Sequence, residues 1–244
     1  MTMRSAFSKY LVLSMAVLLL ATIGWSQTDS SADQPDVVKR MDNAANVLTE
    51  VMGTPDQAIP DKVLSDARCI AIVPSMIKIA VGFGGSHGKG VATCRTNKGW
   101  SAPAPISITG GSWGLQLGGQ AVDLVLMVMN QKGMDDLLAA KFKLGANASA
   151  AAGPVGRDAG ADTDWKMKSE VLSYSRARGL FAGINLNGAA ITQDKDETRL
   201  LYGKMAPFKE ILYGDLPAPK GSSQFLSTVA KYLPNTPSPT KQGE

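Results

Sequence analysis

The chain has 244 residues, 25 Lys and Arg against 21 Asp and Glu for a formal net charge of +4 at pH 7, two cysteines and one histidine. So small a positive excess does not imply nucleic-acid binding, and two cysteines with one histidine fall short of the four ligands of a structural zinc site. With aromatics at 6% and 25 glycines, packing rests on aliphatic side chains and closely approaching backbones.

Arg4 and Lys9 precede an almost continuous apolar run over residues 11–23, and Gly24-Trp25-Ser26 ends it in small residues that a signal peptidase accepts. Residues 1–26 therefore read as a signal peptide cleaved after Ser26, with an uncleaved anchor as the alternative, since the run is shorter than a span of about 20 residues. Residues 27–36 read as a polar linker. Val37, Met41, Ala44, Leu48 and Val51 then recur at helical spacing, so residues 37–52 are expected to form an amphipathic helix. Its stripe has two uses: packing on a core, or lying in a membrane interface with Lys39 and Arg40 meeting anionic headgroups. Pro60 opens a second helix to Ala67, because its missing N–H costs nothing there.

Strands and turns follow. Residues 69–73, 79–84, 90–94, 105–109, 113–118 and 122–129 are expected strands, with a hairpin turn at Thr96-Asn97-Lys98-Gly99. Asp123 interrupts the last of them, and a structural role suits it, either against a basic residue or at a strand end. A helix is expected over 134–142, with Asp135 and Asp136 near its positive end. Further strands are expected over 143–150, 166–175, 180–186 and 190–192, and a helix over 194–202. Pro207, Pro217, Pro219 and Gly221 separate this core from an amphipathic tail around 225–233.

Two motifs point towards an enzyme. Gly84-Gly85-Ser86-His87-Gly88 and Gly110-Gly111-Ser112-Trp113-Gly114 each read G-x-S-x-G, the pattern of a nucleophile elbow. The base of such a triad follows its nucleophile in the chain, whereas His87 adjoins Ser86 and precedes Ser112. Gly82-Phe83-Gly84 opens like a dinucleotide loop, but His87 occupies the third glycine position. Gly88-Lys89 resembles the end of a phosphate loop with Gly90 in place of the Ser or Thr. Asp158, Asp162 and Asp164 share a loop without the EF-hand spacing. No catalytic set, metal site or cofactor follows from these residues. Trp100, Trp113 and Trp165 suit either an interface or the core. Basic residues recur beside the turns, at Lys78, Lys89, Arg95, Lys98, Arg157, Arg176 and Arg178, and would form a phosphate-reading surface where they converge.

Cys69 and Cys94 are placed on two expected strands. In an oxidising compartment they form one disulfide; two buried thiols are the alternative.

The segments ARCIAIVPSMIKIAVGFGGSHGKGVATCR at 67–95, GWSAPAPISITGGSWGLQLGGQAVDLVLMVMN at 99–130, LLAAKFKLGANASAAAGPVGR at 137–157 and EVLSYSRARGLFAGINLNGAAI at 170–191 resemble, in order, the SYLF domain. That family was noticed beside SH3 and FYVE modules in eukaryotes and also occurs as exported bacterial proteins. The resemblance covers about residues 37–214, leaving 215–244 as an amphipathic and Pro-rich tail. It implies a non-catalytic lipid-binding role, with eukaryotic relatives associated with phosphoinositides and some with actin. Combined with the leader it implies an exported bacterial-type member, periplasmic or extracellular. The mechanism implied is that basic residues engage anionic headgroups while residues 37–52 enter the interfacial region.

The expected fold is α+β, a compact antiparallel-rich β-sheet or partly closed β-barrel with flanking helices. The expected partner is an anionic lipid or membrane surface, met by Lys39, Arg40, Lys78, Lys89, Arg95 and Arg176. The competing reading is a cell-envelope structural or protein-interaction module without direct lipid binding. No nucleic acid, metal or cofactor is expected.

Overall fold

A computed structural model describes residues 36–54, 58–139, 142–156, 169–177, 179–184 and 186–234, with the side chains of 80–83 and 112–118 outside that description. The expected leader, residues 27–35 of the linker, Arg157, Asp158, Asp162, Asp164, Trp165 and Arg178 lie outside the described residues.

The six short strands expected up to residue 129 are two long ones, β1 (Cys69–Thr96) and β3 (Ala104–Val128), with the short β2 (Gly99–Trp100) after the turn. They pair antiparallel from Cys69 opposite Val128 to Ala92 opposite Ala104. The glycine runs between the expected strands stay extended and face each other: Gly85 stands opposite Gly111 and Ser86 opposite Gly110. Two register shifts, between Val73 and Met76 and between Val81 and Phe83, twist the ribbon.

Coiling brings the two ends of β1 together. Arg95 N–H donates to Arg68 O at 2.7 Å, and a disulfide joins Cys69 to Cys94 with their Cα atoms 3.9 Å apart. Gly90 passes so close to the start of its own strand that a Cβ there would lie 2.2 Å from Ile72 O.

The rest of the sheet assembles on β3. Its first part pairs with β8 (Ala190–Gln193), which takes β4 (Phe142–Lys143), and its last part pairs with β6 (Val171–Ala177). β6 pairs antiparallel with β7 (Leu180–Gly183) and parallel with β5 (Ala150–Ala152). The strand expected over 143–150 does not form: the chain turns at Gly145 (φ 78°), and Asn147 N–H donates to Lys143 O at 2.9 Å. The fold is α+β, a curled, mostly antiparallel half-barrel flanked by helices.

Both faces of this sheet are covered where β1 and β3 begin and end. Cys69, Ala71 and Val73 turn to the inner core with Leu124, Leu126 and Phe142, while Ile70 and Ile72 turn to an outer core. Burial on two faces is why these segments read as continuous apolar runs. The outer layer is α1 (Asp36–Met52), α2 (Asp61–Asp66) and α6 (Ser223–Tyr232). The stripe of α1 is fully buried, Val37, Met41, Ala44, Leu48 and Val51 meeting Ile70, Ile72, Phe225 and Val229. The face that would enter a membrane is thus occupied, and α6, from the expected tail, helps to occupy it.

Three short helices complete the described part of the fold. In α3 (Gln131–Leu137), which starts earlier than expected, the Asn130 side chain caps by accepting from Gly133 N–H at 2.9 Å. In α4 (Lys195–Tyr202), Asp194 caps by accepting from Glu197 N–H at 3.1 Å. In α5 (Phe208–Leu212), Phe208, Ile211 and Leu212 close the inner core. Among the described residues no helix is long and apolar enough to cross a membrane.

Candidate functional site

Two of the six basic residues expected to meet headgroups converge, but on carboxylates. The cap of α4 has the D-x-x-E pattern, which places Asp194 and Glu197 together at the helix start. Asp194 is 8% exposed and Glu197 6%. Lys89 of β1 reaches Asp194 at 2.9 Å and Glu197 at 3.0 Å, and Arg40 of α1 pairs with the other Glu197 oxygen. The hydrogen bonds that Lys89 donates to Asp194 and then Glu197 raise its pKa above its ordinary value. Burial pushes the Asp194 pKa upwards, but Lys89, the Glu197 N–H and Ser107 together outweigh it and hold the carboxyl low. This network ties α1, the hairpin and α4 together.

Arg176 and Arg95 are likewise engaged. Arg176 donates from Nε and Nη2 to Asp123 Oδ2 at 3.0 and 2.7 Å and also pairs with Glu50 of α1. Asp123 Oδ1 accepts the Ser75 N–H at 2.9 Å, holding a non-glycine residue at φ 53°, in the left-handed region that such residues seldom adopt. Asp123 therefore braces the first register shift of the ribbon. Arg95 donates to Ala67 O at 2.8 Å, Leu64 O at 2.9 Å and Pro234 O at 2.6 Å, and stacks 4.8 Å from the centre of the Trp100 ring. The first two carbonyls belong to the end of α2, where a cation is favoured. Burial, and secondarily Arg68, lowers the Arg95 pKa.

Lys39 and Lys78 differ from the other four. Lys39 is exposed on α1, and Lys78 is half-buried on β1; neither forms an ion pair among the described residues. Burial lowers the Lys78 pKa, with no compensating carboxylate among the described residues.

The two serine motifs lie opposite each other within the β1–β3 ladder, Gly84 against Ser112 and Gly85 against Gly111. An extended strand cannot supply the sharp strand-to-helix turn of a nucleophile elbow. Ser86 and His87 are consecutive strand residues and so face opposite sides of the ribbon. Ser86 Oγ instead donates to Gly110 O at 3.4 Å. Among the described residues no three His, Cys, Asp or Glu side chains gather as a metal would require.

One surface escaped the sequence reading. No Asp or Glu occurs between Asp66 and Asp123, so the one carboxylate of the hairpin is Asp123 near the end of β3, paired with Arg176, while this stretch carries Arg68, Lys78, Lys89, Arg95 and Lys98. In its middle, Ile77 is 53% exposed and Ile79 57%. Their ladder partners Ala121 and Gly119 are exposed as well, so one face of the ribbon is apolar and open. The signal was available in the sequence as an acid-free stretch.

A family model described as "Ysc84: Las17-binding protein actin regulator" matches residues 109–232, just over half of the chain. Protein YSC84 of Saccharomyces cerevisiae is 34% identical over 175 residues, covering 70% of this chain and 37% of that protein. The SH3 domain-containing YSC84-like protein 1 of Bos taurus is 33% identical over 180 residues, 73% of this chain and 52% of that one. LAS seventeen-binding protein 3 of Saccharomyces cerevisiae is 34% identical over 168 residues, 67% and 36% respectively. The chain spans about half or less of the length of these curated relatives. These matches correct the expectation of an exported, bacterial-type member. They are yeast and mammalian proteins of an actin-regulator family, and a secreted, periplasmic or extracellular placement does not stand against them. The oxidising-compartment argument for the disulfide falls with it, and the cell-envelope partner has no support among the relatives.

Proposed function

This chain belongs to the Ysc84/SYLF family, whose members are non-catalytic interaction modules, and from that premise we propose that it binds anionic lipid surfaces through its long hairpin. The observation that carries this is the absence of any acid between Asp66 and Asp123 around a lysine, Lys78, that has no ion-pair partner among the described residues. A basic residue close to an anionic leaflet contributes about 1 kcal/mol of attraction. A phosphate beside Lys78 would offset the desolvation that the fold imposes on its ammonium. Lys39 supplies a second headgroup contact. Arg40, Lys89, Arg95 and Arg176 act at one remove, by holding the elements that carry the surface.

The relatives' names support a second reading, attachment to a protein of the actin machinery, since the family description and one relative both refer to Las17 binding. Sedimentation with vesicles separates the two. The purified chain is expected to sediment with phosphatidylcholine vesicles containing 30 mol% phosphatidylserine, to leave neutral vesicles largely unbound, and to weaken severalfold between about 50 and 500 mM salt. Lys78→Gln should weaken anionic binding about fivefold with an unchanged melting temperature. Equal binding to neutral and anionic vesicles would remove the headgroup mechanism, and no binding to either would favour the protein partner.

A further inference from the structure

The exposed apolar face of the hairpin asks for an occupant. Ile77 and Ile79 sit on one side of β1, two residues apart, with Ala121 and Gly119 opposite them in register and exposed. Large β-branched side chains exposed by more than half are rare among the described strands; elsewhere on β1, Ile70 and Ile72 are fully covered. The pair lies between the two register shifts of the ribbon, at Val73/Met76 and Val81/Phe83. Here β3 has no neighbour other than β1 among the described residues: β8 pairs only up to Thr109, and β6 only from Asp123. The ribbon is two strands wide at this point, and nothing described covers its Ile77/Ile79 side.

We infer that this two-stranded segment is a membrane-inserting wedge, with Ile77 and Ile79 entering the acyl boundary of an anionic bilayer and Lys78 at the level of the phosphates. The inference rests on the lipid-surface reading and adds a mode of attachment to it. Alternation along a strand places Lys78 on the side opposite the two isoleucines, together with Gln120 of the paired strand. The segment is thus amphipathic across its thickness, apolar beneath and cationic above. An interfacial element buries its apolar face about 5–10 Å deep, close to the thickness of one pleated ribbon with its side chains. Charge complementarity selects the bilayer as occupant. A carboxylate in this stretch would be repelled by an anionic leaflet; none occurs between Asp66 and Asp123, and Asp123 itself is paired with Arg176. The acids near Lys89 come from α4 and are paired.

The test is a pair of double variants of the full chain, Ile77→Ser/Ile79→Ser and Ile77→Leu/Ile79→Leu, each checked by far-UV circular dichroism and melting temperature. Covering half of two isoleucines is worth about tenfold or more in affinity. The serine pair should bind 30 mol% phosphatidylserine vesicles about tenfold more weakly, lose the component of binding that survives 500 mM salt, and fail to raise the surface pressure of a phosphatidylserine-containing monolayer. The leucine pair should match wild type in all three. If wild type binds anionic vesicles and the folded serine pair binds equally and raises the pressure equally, insertion is wrong while surface adsorption stands. If wild type binds no vesicle, both fall. A serine pair that changes the sedimentation coefficient of the free protein but not vesicle binding would assign the face to a second copy of the chain and overturn the wedge.

Discussion

The ends and the middle of one hairpin obey different rules. At the ends, β1 and β3 are covered on both faces, flanked by β6 and β8, tied by Cys69–Cys94 and braced through Asp123, Lys89 and Arg95. In the middle the same strands pair only with each other among the described residues and present Ile77 and Ile79 to solvent. The glycines differ accordingly. A Cβ at Gly90 would strike backbone, whereas one at Gly85, Gly111 or Gly119 would meet nothing within 4 Å. Glycine at Gly90 serves close packing; at Gly85, Gly111 and Gly119 packing does not demand it. The contrast separates what holds the fold from what remains available to a partner.

The most direct way to break this contrast is to fill the crossing point. In Gly90→Ala the new methyl would lie 2.2 Å from Ile72 O and 2.7 Å from Val73 Cγ2, so the two ends of β1 would have to separate. Overpacking against backbone costs about 3 kcal/mol. Urea unfolding should show that loss, and a midpoint within error of wild type would mean that the coil does not close there.

A smaller effect probes the electrostatic brace. Asp194→Asn keeps an acceptor for the Glu197 N–H, so the α4 cap survives, but it removes the charge facing Lys89. Because the Lys89 side chain is 40% exposed, solvent screens the pair and the cost at pH 7 is about 1 kcal/mol. The pH dependence has a definite sign. Asp194 has a folded-state pKa below its ordinary 3.8, so its contribution is present above that value and is lost as pH falls through the depressed one. Lys89 is raised above 10.5, so its contribution holds below that value and is lost as pH rises through the raised one. Unfolding followed from pH 6 down to pH 2 should therefore be less acid-sensitive in Asp194→Asn than in wild type; identical acid limbs would remove Asp194 from the brace.

Alternation and the helical stripe made the strands around 69–73, 90–94 and 122–129 and the α1 helix legible from sequence. The continuity of β1 and β3 was not legible, because glycine runs normally signal turns. Here Gly85 and Gly111 face each other, a pairing some 26 residues apart that no local rule contains. The α1 stripe was consistent with either a core or a membrane interface, and the choice was made by Phe225 and Val229 from the far end of the chain. The basic residues were legible as a type. Their partners were not, since Arg40 meets Glu197 and Arg176 meets Asp123 only through the tertiary fold. Ile77 resembles Ile70 in sequence, and only the missing neighbours of the mid-hairpin distinguish the two.

The smallest expected effect sharpens the comparison most. Gly111 has ordinary backbone angles outside the positive-φ set and an open environment, so Gly111→Ala introduces no clash. Alanine restricts the unfolded chain more than glycine does, which stabilises a compatible site by about 0.4–1 kcal/mol. Gly111→Ala should therefore leave the urea midpoint unchanged or raise it slightly, in a protein that loses several times as much from the same methyl at Gly90. Should Gly111→Ala cost as much as Gly90→Ala, the middle of the hairpin would be as tightly packed as its ends. The division between packed ends and an open middle would then fail at the Gly85/Gly111 pair. Equal and negligible effects at both positions would instead mean that the ends are as open as the middle, and the division of the hairpin into anchor and wedge would fail from the other side.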